Sequence, residues 1–160
     1  MTRSENAMIV KNITISTDCL KVTPIGDRLY RLAEDTTLCI YTDVGLLRFE
    51  MFKGLVSNFR SGGVLVDGFI DQVGDEKKSL CYLFHDMAYT PCAQCGMEHP
   101  VSRKFADQLL RAGLLWAGMG SFKAGLVYNS VRLFGQSAYE EDDALTSTNS
   151  RLFTFHWLCG

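Results

Sequence analysis

The sequence predicts an α+β fold: an N-terminal antiparallel β meander followed by about three helices, two of them antiparallel neighbours. Three observations carry this. The first half consists of short apolar runs rich in β-branched and aromatic residues, partly alternating with polar ones and separated by turn residues. The period changes to helical spacing from about Asp75 onward. The 160 residues, 47% apolar and 21% charged, suit one domain that closes a core without covalent staples.

The β-rich part covers residues 7–70. Ile9, Val10, Ile13 and Ile15 alternate in part with Lys11, Asn12 and Thr14, and Val, Ile and Thr favour a pleated surface. Pro24-Ile25-Gly26-Asp27 reads as a turn. Arg28–Leu32 alternates again, and Thr37–Tyr41 and Leu46–Phe52 follow, divided by Asp43-Val44-Gly45. Gly62-Gly63 then precedes Val64-Leu65-Val66, a short buried-strand candidate.

The helical part covers 75–135. From Asp75 to Ala88, Leu80, Leu83, Phe84, Met87 and Ala88 fall on one stripe. Ser102 is a good N-cap for a second helix to about Trp116, with Phe105, Leu109, Ala112 and Trp116 inward and Ala106 and Leu110 beside them. Gly118 and Gly120 break the chain. Phe122–Phe134 forms the third helix, with Phe122, Leu126, Val127 and Val131 inward and Gly135 as its stop. Residues 136–150, polar and carrying Glu140-Glu141-Asp142-Asp143, read as a solvated acidic loop. The apolar end, 151–160, reads either as a late strand on the domain's own sheet or as a docking tail bearing Phe153, Phe155 and Trp157.

A net charge of −2 argues against a general nucleic-acid binder. No run of 18 apolar residues suggests a membrane span. Met1 to Asn6 leads into an alternating segment and not an apolar signal core, so no secretory signal is expected. Six cysteines are many for such a chain: Cys19, Cys39, Cys81, Cys92, Cys95 and Cys159. In a reducing compartment most are free thiols, small buried hydrophobes or metal ligands; disulfides require maturation outside the cytosol.

One constellation carries chemistry. His85 and Tyr89, four apart at the end of the first helix, share a face, while Asp86 points about 100° away. A short connection sets the second helix antiparallel to the first, so Asp107 can face His85. A carboxylate on one imidazole nitrogen fixes its tautomer and lets the other take a proton from water. Asp86 could hold a hard cation through oxygen, stabilising a developing oxyanion. The plainer alternative is a His–Asp pair that only ties two helices.

His85-Asp86-x-x-Tyr89, with Ala106-Asp107 downstream, resembles the active-site helices of phospholipase A2 enzymes, most closely the parvoviral type with its H-D-x-x-Y motif. That resemblance implies His85 activating water, Asp86 binding calcium, Asp107 orienting His85 and Tyr89 fixing Asp107. A second resemblance spans roughly Leu29 to Tyr139. It is to small uncharacterised phage and prophage proteins with a glycine followed by D-x-x-S, then H-D-x-x-Y, S-R-x-x-A-D and R-x-F-G. Gly54–Ser61, His85–Tyr89, Ser102–Asp107 and Val131-Arg132-Leu133-Phe134-Gly135 are the corresponding stretches. This second resemblance implies a phage-encoded protein from regions that encode virion or tail parts, with other virion proteins as partners and the virion or host cytoplasm as location. Asn58 stands where that pattern has Asp, and Gly62 where it has Pro. For the calcium loop of the phospholipases the best substitute is Asp67–Gly74, with Gly68 as a backbone ligand.

Cys92-Ala93-Gln94-Cys95 with His99 has the form C-x2-C-x3-H, half of a zinc knuckle that needs a fourth ligand. Disulfide and free thiols are the alternatives there. Three functions follow as expectations. The first is a virion-associated structural or assembly protein on a phospholipase-A2-like His–Asp scaffold without catalysis. The second is a calcium-dependent lipid or ester hydrolase. The third is a zinc-stabilised host-interaction module.

Overall fold

A computed structural model describes residues 8–26, 29–58 and 76–158. The strands are β1 (Val10–Ile15), β2 (Val22–Gly26), β3 (Leu29–Leu32), β4 (Thr36–Thr42), β5 (Gly45–Met51), β6 (Val56–Ser57) and β7 (Phe153–Leu158). The helices are α1 (Glu76–Ala88), α2 (Arg103–Trp116), α3 (Ser121–Phe134), α4 (Gln136–Tyr139) and α5 (Ala144–Asn149), with a 3₁₀ turn at Ala93–Cys95. The fold is α+β, antiparallel strands followed by helices, as the sequence predicts.

All strand pairs are antiparallel, in a four-stranded sheet ordered β1-β4-β5-β7 and a three-stranded sheet ordered β2-β3-β6. β1 pairs with β4 and not with its sequence neighbour, so β2 and β3 peel away to meet β6. Pro24 and Ile25, expected in a turn, lie in β2. That strand is the free edge of its sheet, where a proline's missing N–H breaks no ladder bond. The expected strand at Val64–Val66 lies outside the described residues. The C-terminal run is the late strand: β7 pairs with β5 from Met51↔Phe153 to Leu46↔Leu158.

One face of the large sheet is the core floor. Leu38 and Ile40 of β4, Leu47, Phe49 and Met51 of β5, and Phe153 of β7 alternate inward and are fully or almost fully buried. α1 contributes to the same core, with Ser79 to His85 all buried. α2 packs on α1 in the opposite direction: His85 meets Asp107, while Gly113 sits where a Cβ would be 3.0 Å from both Cys81 Sγ and Phe84 Cζ. α2 begins at Ser102, whose Oγ accepts from Phe105 N–H at 3.2 Å.

Two expectations need correcting. Phe122 is 77% exposed, and the inward residues of α3 are Ala124, Val127, Ser130 and Val131. Phe122 lies on the opposite side of the helix from Val131, while Leu126, between the two, is partly buried against the core. The acidic segment is not an open loop: it contains α4 and α5, the latter capped by Asp143, whose Oδ1 accepts from Thr146 N–H at 2.8 Å. Among the described residues no helix is long and apolar enough to cross a membrane.

Candidate functional site

α1 places His85 and Tyr89 one turn apart with ring centroids 4.2 Å apart. α2 carries Asp107, fully buried, opposite them. His85 Nε2 lies 2.8 Å from Asp107 Oδ1, and the Tyr89 hydroxyl donates to the same oxygen at 2.5 Å. The other carboxylate oxygen accepts from Arg132 Nη1 at 2.8 Å, with Arg103 Nη1 at 3.9 Å. Asp107 therefore joins three helices: α1 through His85 and Tyr89, α2 by its own backbone, and α3 through Arg132.

Arg103 finishes the junction. Its Nη1 donates to the Val131 carbonyl at 2.9 Å and its Nη2 to the Arg132 carbonyl at 3.1 Å. It thereby gives the Val131 carbonyl a second donor beside Gly135 N–H and engages the Arg132 carbonyl in the last turn of α3. Gly135 closes the stretch because a Cβ there would stand 2.6 Å from the Tyr89 hydroxyl and 3.1 Å from Arg103 Nη1.

Charges follow from this geometry. Burial lowers the His85 pKa, against the hydrogen bond and charge of Asp107, and the nearby Arg103 lowers it further. Burial alone would raise Asp107, but hydrogen bonds from His85, Tyr89 and Arg132 hold it below the usual carboxylate range. Burial, with the Asp107 bond and charge, pushes the Tyr89 phenol up. The pair is neutral imidazole and carboxylate at neutral pH, so His85 donates from Nε2; this tautomer follows from the network.

Asp86 faces another way. Its carboxylate accepts from Ser57 Oγ of β6 and from the Asn58 backbone. Burial raises it to about 7 against those two bonds. It forms part of a cleft of about 190 Å³ between the end of β6, the C-terminal turn of α1 and the α4–α5 segment. Asp86, Tyr89, Asn58, Glu141 and Asp143 are among its walls, and His85 is not. Asn149 of α5 holds that wall in place by pairing with Val56 as a strand would, accepting its N–H at 3.1 Å and donating to its carbonyl at 3.0 Å.

The structure thus brings His85, Tyr89 and Asp107 together and sets Asp86 on the adjacent cleft. Gly68 and the rest of Asp67–Gly74 lie outside the described residues. Cys92 is buried and Cys95 exposed in the 3₁₀ turn between α1 and α2. His99, their expected companion, stacks on Tyr139 at 3.6 Å, with Nε2 2.6 Å from the Tyr139 carbonyl oxygen. Among the described residues no three His, Cys, Asp or Glu side chains converge as a metal site.

Sequence reasoning gave no role to Arg132, Arg103, Ser57 or Asn149. Arg103 had a local signal, since it lies four residues before Asp107 on one helix. Arg132 and Asn149 act across long sequence separations that no local pattern encodes. No protein-family model matches the chain, and neither a curated protein nor a solved structure matches it.

Proposed function

We propose that this chain is a phage-encoded, virion-associated structural or assembly protein. On this reading its phospholipase-A2-like His–Asp pair holds helices together and hydrolyses nothing. The ordered series of four short motifs supports the phage setting. The observation that carries the non-catalytic role is the burial of His85, 2% exposed. A general base must come within hydrogen-bond reach of the proton it takes, directly or through one water, and works best with a pKa near the operating pH. His85 is closed in, and its pKa is lowered.

The second reading, a calcium-dependent hydrolase acting on a lipid or related ester, draws on Asp86. That carboxylate follows His85 directly and lines the cleft, where an oxygen ligand for calcium is wanted.

One experiment separates the two: thermal melts of wild type and His85→Ala with and without calcium, alongside fatty-acid release from phospholipid vesicles. The structural role predicts a loss of about 1–3 kcal/mol in the variant through the lost hydrogen bond to the buried Asp107 carboxylate, no calcium shift, and no release by either protein. Calcium-dependent release by wild type, lost in a variant of unchanged stability, would establish the hydrolase instead. Mass spectrometry of purified particles tests the setting, and absence of the chain from them removes the virion assignment.

A further inference from the structure

The turn between α1 and α2 carries two cysteines on which the proposed function makes no demand. Cys92 enters it in an extended conformation, φ −98 and ψ 118, and Gly96 leaves it at φ +75. Cys95 N–H donates to the Cys92 carbonyl at 3.0 Å, and Met97 N–H donates to the same oxygen at 2.9 Å. A turn closed by such an i to i+3 bond keeps its end Cα atoms within about 7 Å. That overlaps the separation of about 4.4–6.8 Å that a disulfide spans.

The two thiols differ in access. Cys92 is fully buried, with its S–H donating to the Phe153 carbonyl at 3.9 Å. Cys95 is exposed. They also sense each other: desolvation first, then the hydrogen bond and charge of Cys92, push the Cys95 thiol up to about 11. His99 is turned to Tyr139 and does not join them.

We propose that Cys92 and Cys95 are a reversible dithiol–disulfide site for low-molecular-weight disulfides such as oxidised glutathione, with Cys95 the entry thiol and Cys92 the resolving thiol. Cys95 gives its proton to solvent, and its thiolate attacks one glutathione sulfur. The glutathione S–S bond breaks, one glutathione leaves as thiolate and is protonated, and a mixed disulfide remains on Cys95. Cys92 then loses its proton and attacks the Cys95 sulfur, releasing the second glutathione. In sum, two protein thiols become one disulfide while one glutathione disulfide becomes two glutathione thiols. Burial of Cys92 excludes the reverse order, because glutathione cannot reach it. The bond takes the Cys92 sulfur away from the Phe153 carbonyl. It also closes a turn that is tied to the end of α5 by Ala93 N–H on the Ser150 carbonyl at 2.9 Å.

The test uses the reduced full-length protein in oxidised glutathione, quenched with acid, alkylated and mapped by mass spectrometry. Wild type should lose two alkylatable thiols to one disulfide within the peptide spanning 92–95. Cys92→Ser should stop at a stable glutathione adduct on Cys95. Cys95→Ser, altered at an exposed position and so readable even if Cys92→Ser misfolds, should leave Cys92 alkylatable after denaturation. The wild-type rate should rise about tenfold per pH unit between pH 7 and 9, because the thiolate is the attacking species. Three results overturn the proposal: persistent alkylation of Cys95 in wild type, a mixed disulfide that never resolves, or Cys95 paired with another cysteine.

Discussion

Gly135→Ala should destabilise this protein by about 2–6 kcal/mol, although nothing in the backbone forbids alanine there. Gly135 has φ −82 and ψ −10, open to any residue, and helix propensity alone favours alanine. The obstruction is spatial. The added Cβ would press on the Val131 carbonyl oxygen, lie 2.6 Å from the Tyr89 hydroxyl and lie 3.1 Å from Arg103 Nη1. None of the three yields cheaply. The Val131 carbonyl accepts from both Gly135 N–H and Arg103, each at 2.9 Å, and the hydroxyl is held on Asp107 at 2.5 Å. Restoring ordinary contact needs a shift of roughly 1 Å. Overpacking of that kind costs about 1–3 kcal/mol, and losing a hydrogen bond to a buried carboxylate adds about 1–3 kcal/mol. At about 2–4 °C per kcal/mol for a chain near this size, the melting temperature should fall by roughly 4–24 °C. Urea and thermal unfolding measure it, with Gly125→Ala as control. Gly125 sits inside α3 with nothing within 4 Å of a Cβ, so that change should stabilise by about 0.5–1 kcal/mol. In a Tyr89→Phe background part of the obstruction is gone, and the two losses should sum to less than their separate values. A Gly135→Ala protein as stable as wild type would refute the junction described here.

Asp86→Asn should become progressively more stabilising relative to wild type as pH rises from about 4 to 7, and level off above. Burial raises the native carboxyl to about 7, so in that window the folded state keeps a proton that the unfolded chain, at its ordinary value of about 3.9, has released. That contribution to stability is fully present at low pH and is lost as pH rises through 7. Urea midpoints of both proteins across the window check it, and a pH-independent difference between them removes the claim. Gly113→Ala should cost about 1–3 kcal/mol, because its Cβ would meet Cys81 Sγ and Phe84 Cζ, each at 3.0 Å; an unchanged melt would mean α1 and α2 lie further apart. Phe122→Ser, at a position 77% exposed, should change stability by no more than about 0.5 kcal/mol, and a larger loss would restore the helix phase first expected.

The His85–Asp107 meeting was legible because it needed little beyond a helical period, a short connection and an N-cap at Ser102. Each of those is local. The phase of α3 was not legible, because the helix carries apolar residues on two sides. Phe122 and Leu133 are bulkier than Ala124, Val127 and Val131, yet the thinner stripe fits the space beside α2. Ala124 is fully buried there. The short helices α4 and α5 were hidden by polar composition, although Asp143 three residues before Thr146 is a capping signal. The pairing of β1 with β4, the grip of Asn149 on Val56 and the bond between Ser57 and Asp86 each join segments far apart in the chain. Their own residues look like ordinary strand or loop, and only the closed fold shows what they do.

A catalytic pair and a structural tie ask opposite things of Asp107. When a base removes a proton from water, its imidazole becomes a cation, and the partner carboxylate helps only as far as its negative charge is still available. Here Arg132 lies at 2.8 Å and Arg103 at 3.9 Å from the second carboxylate oxygen. Much of that charge is offset before His85 takes up any proton. An imidazolium would be a third cation around one carboxylate in a place water does not reach, and like charges at close range oppose it. Burial first, and then the charge of Arg103, already lower the His85 pKa in the resting protein against the pull of Asp107. For a tie the same arrangement is favourable: a neutral ring, a phenol and a guanidinium donate to one buried carboxylate, whose charge is balanced and whose two oxygens are both engaged. Burial is therefore what weakens the base most and Arg103 adds to it, so a hydrolase built on these helices would first have to open His85 to water.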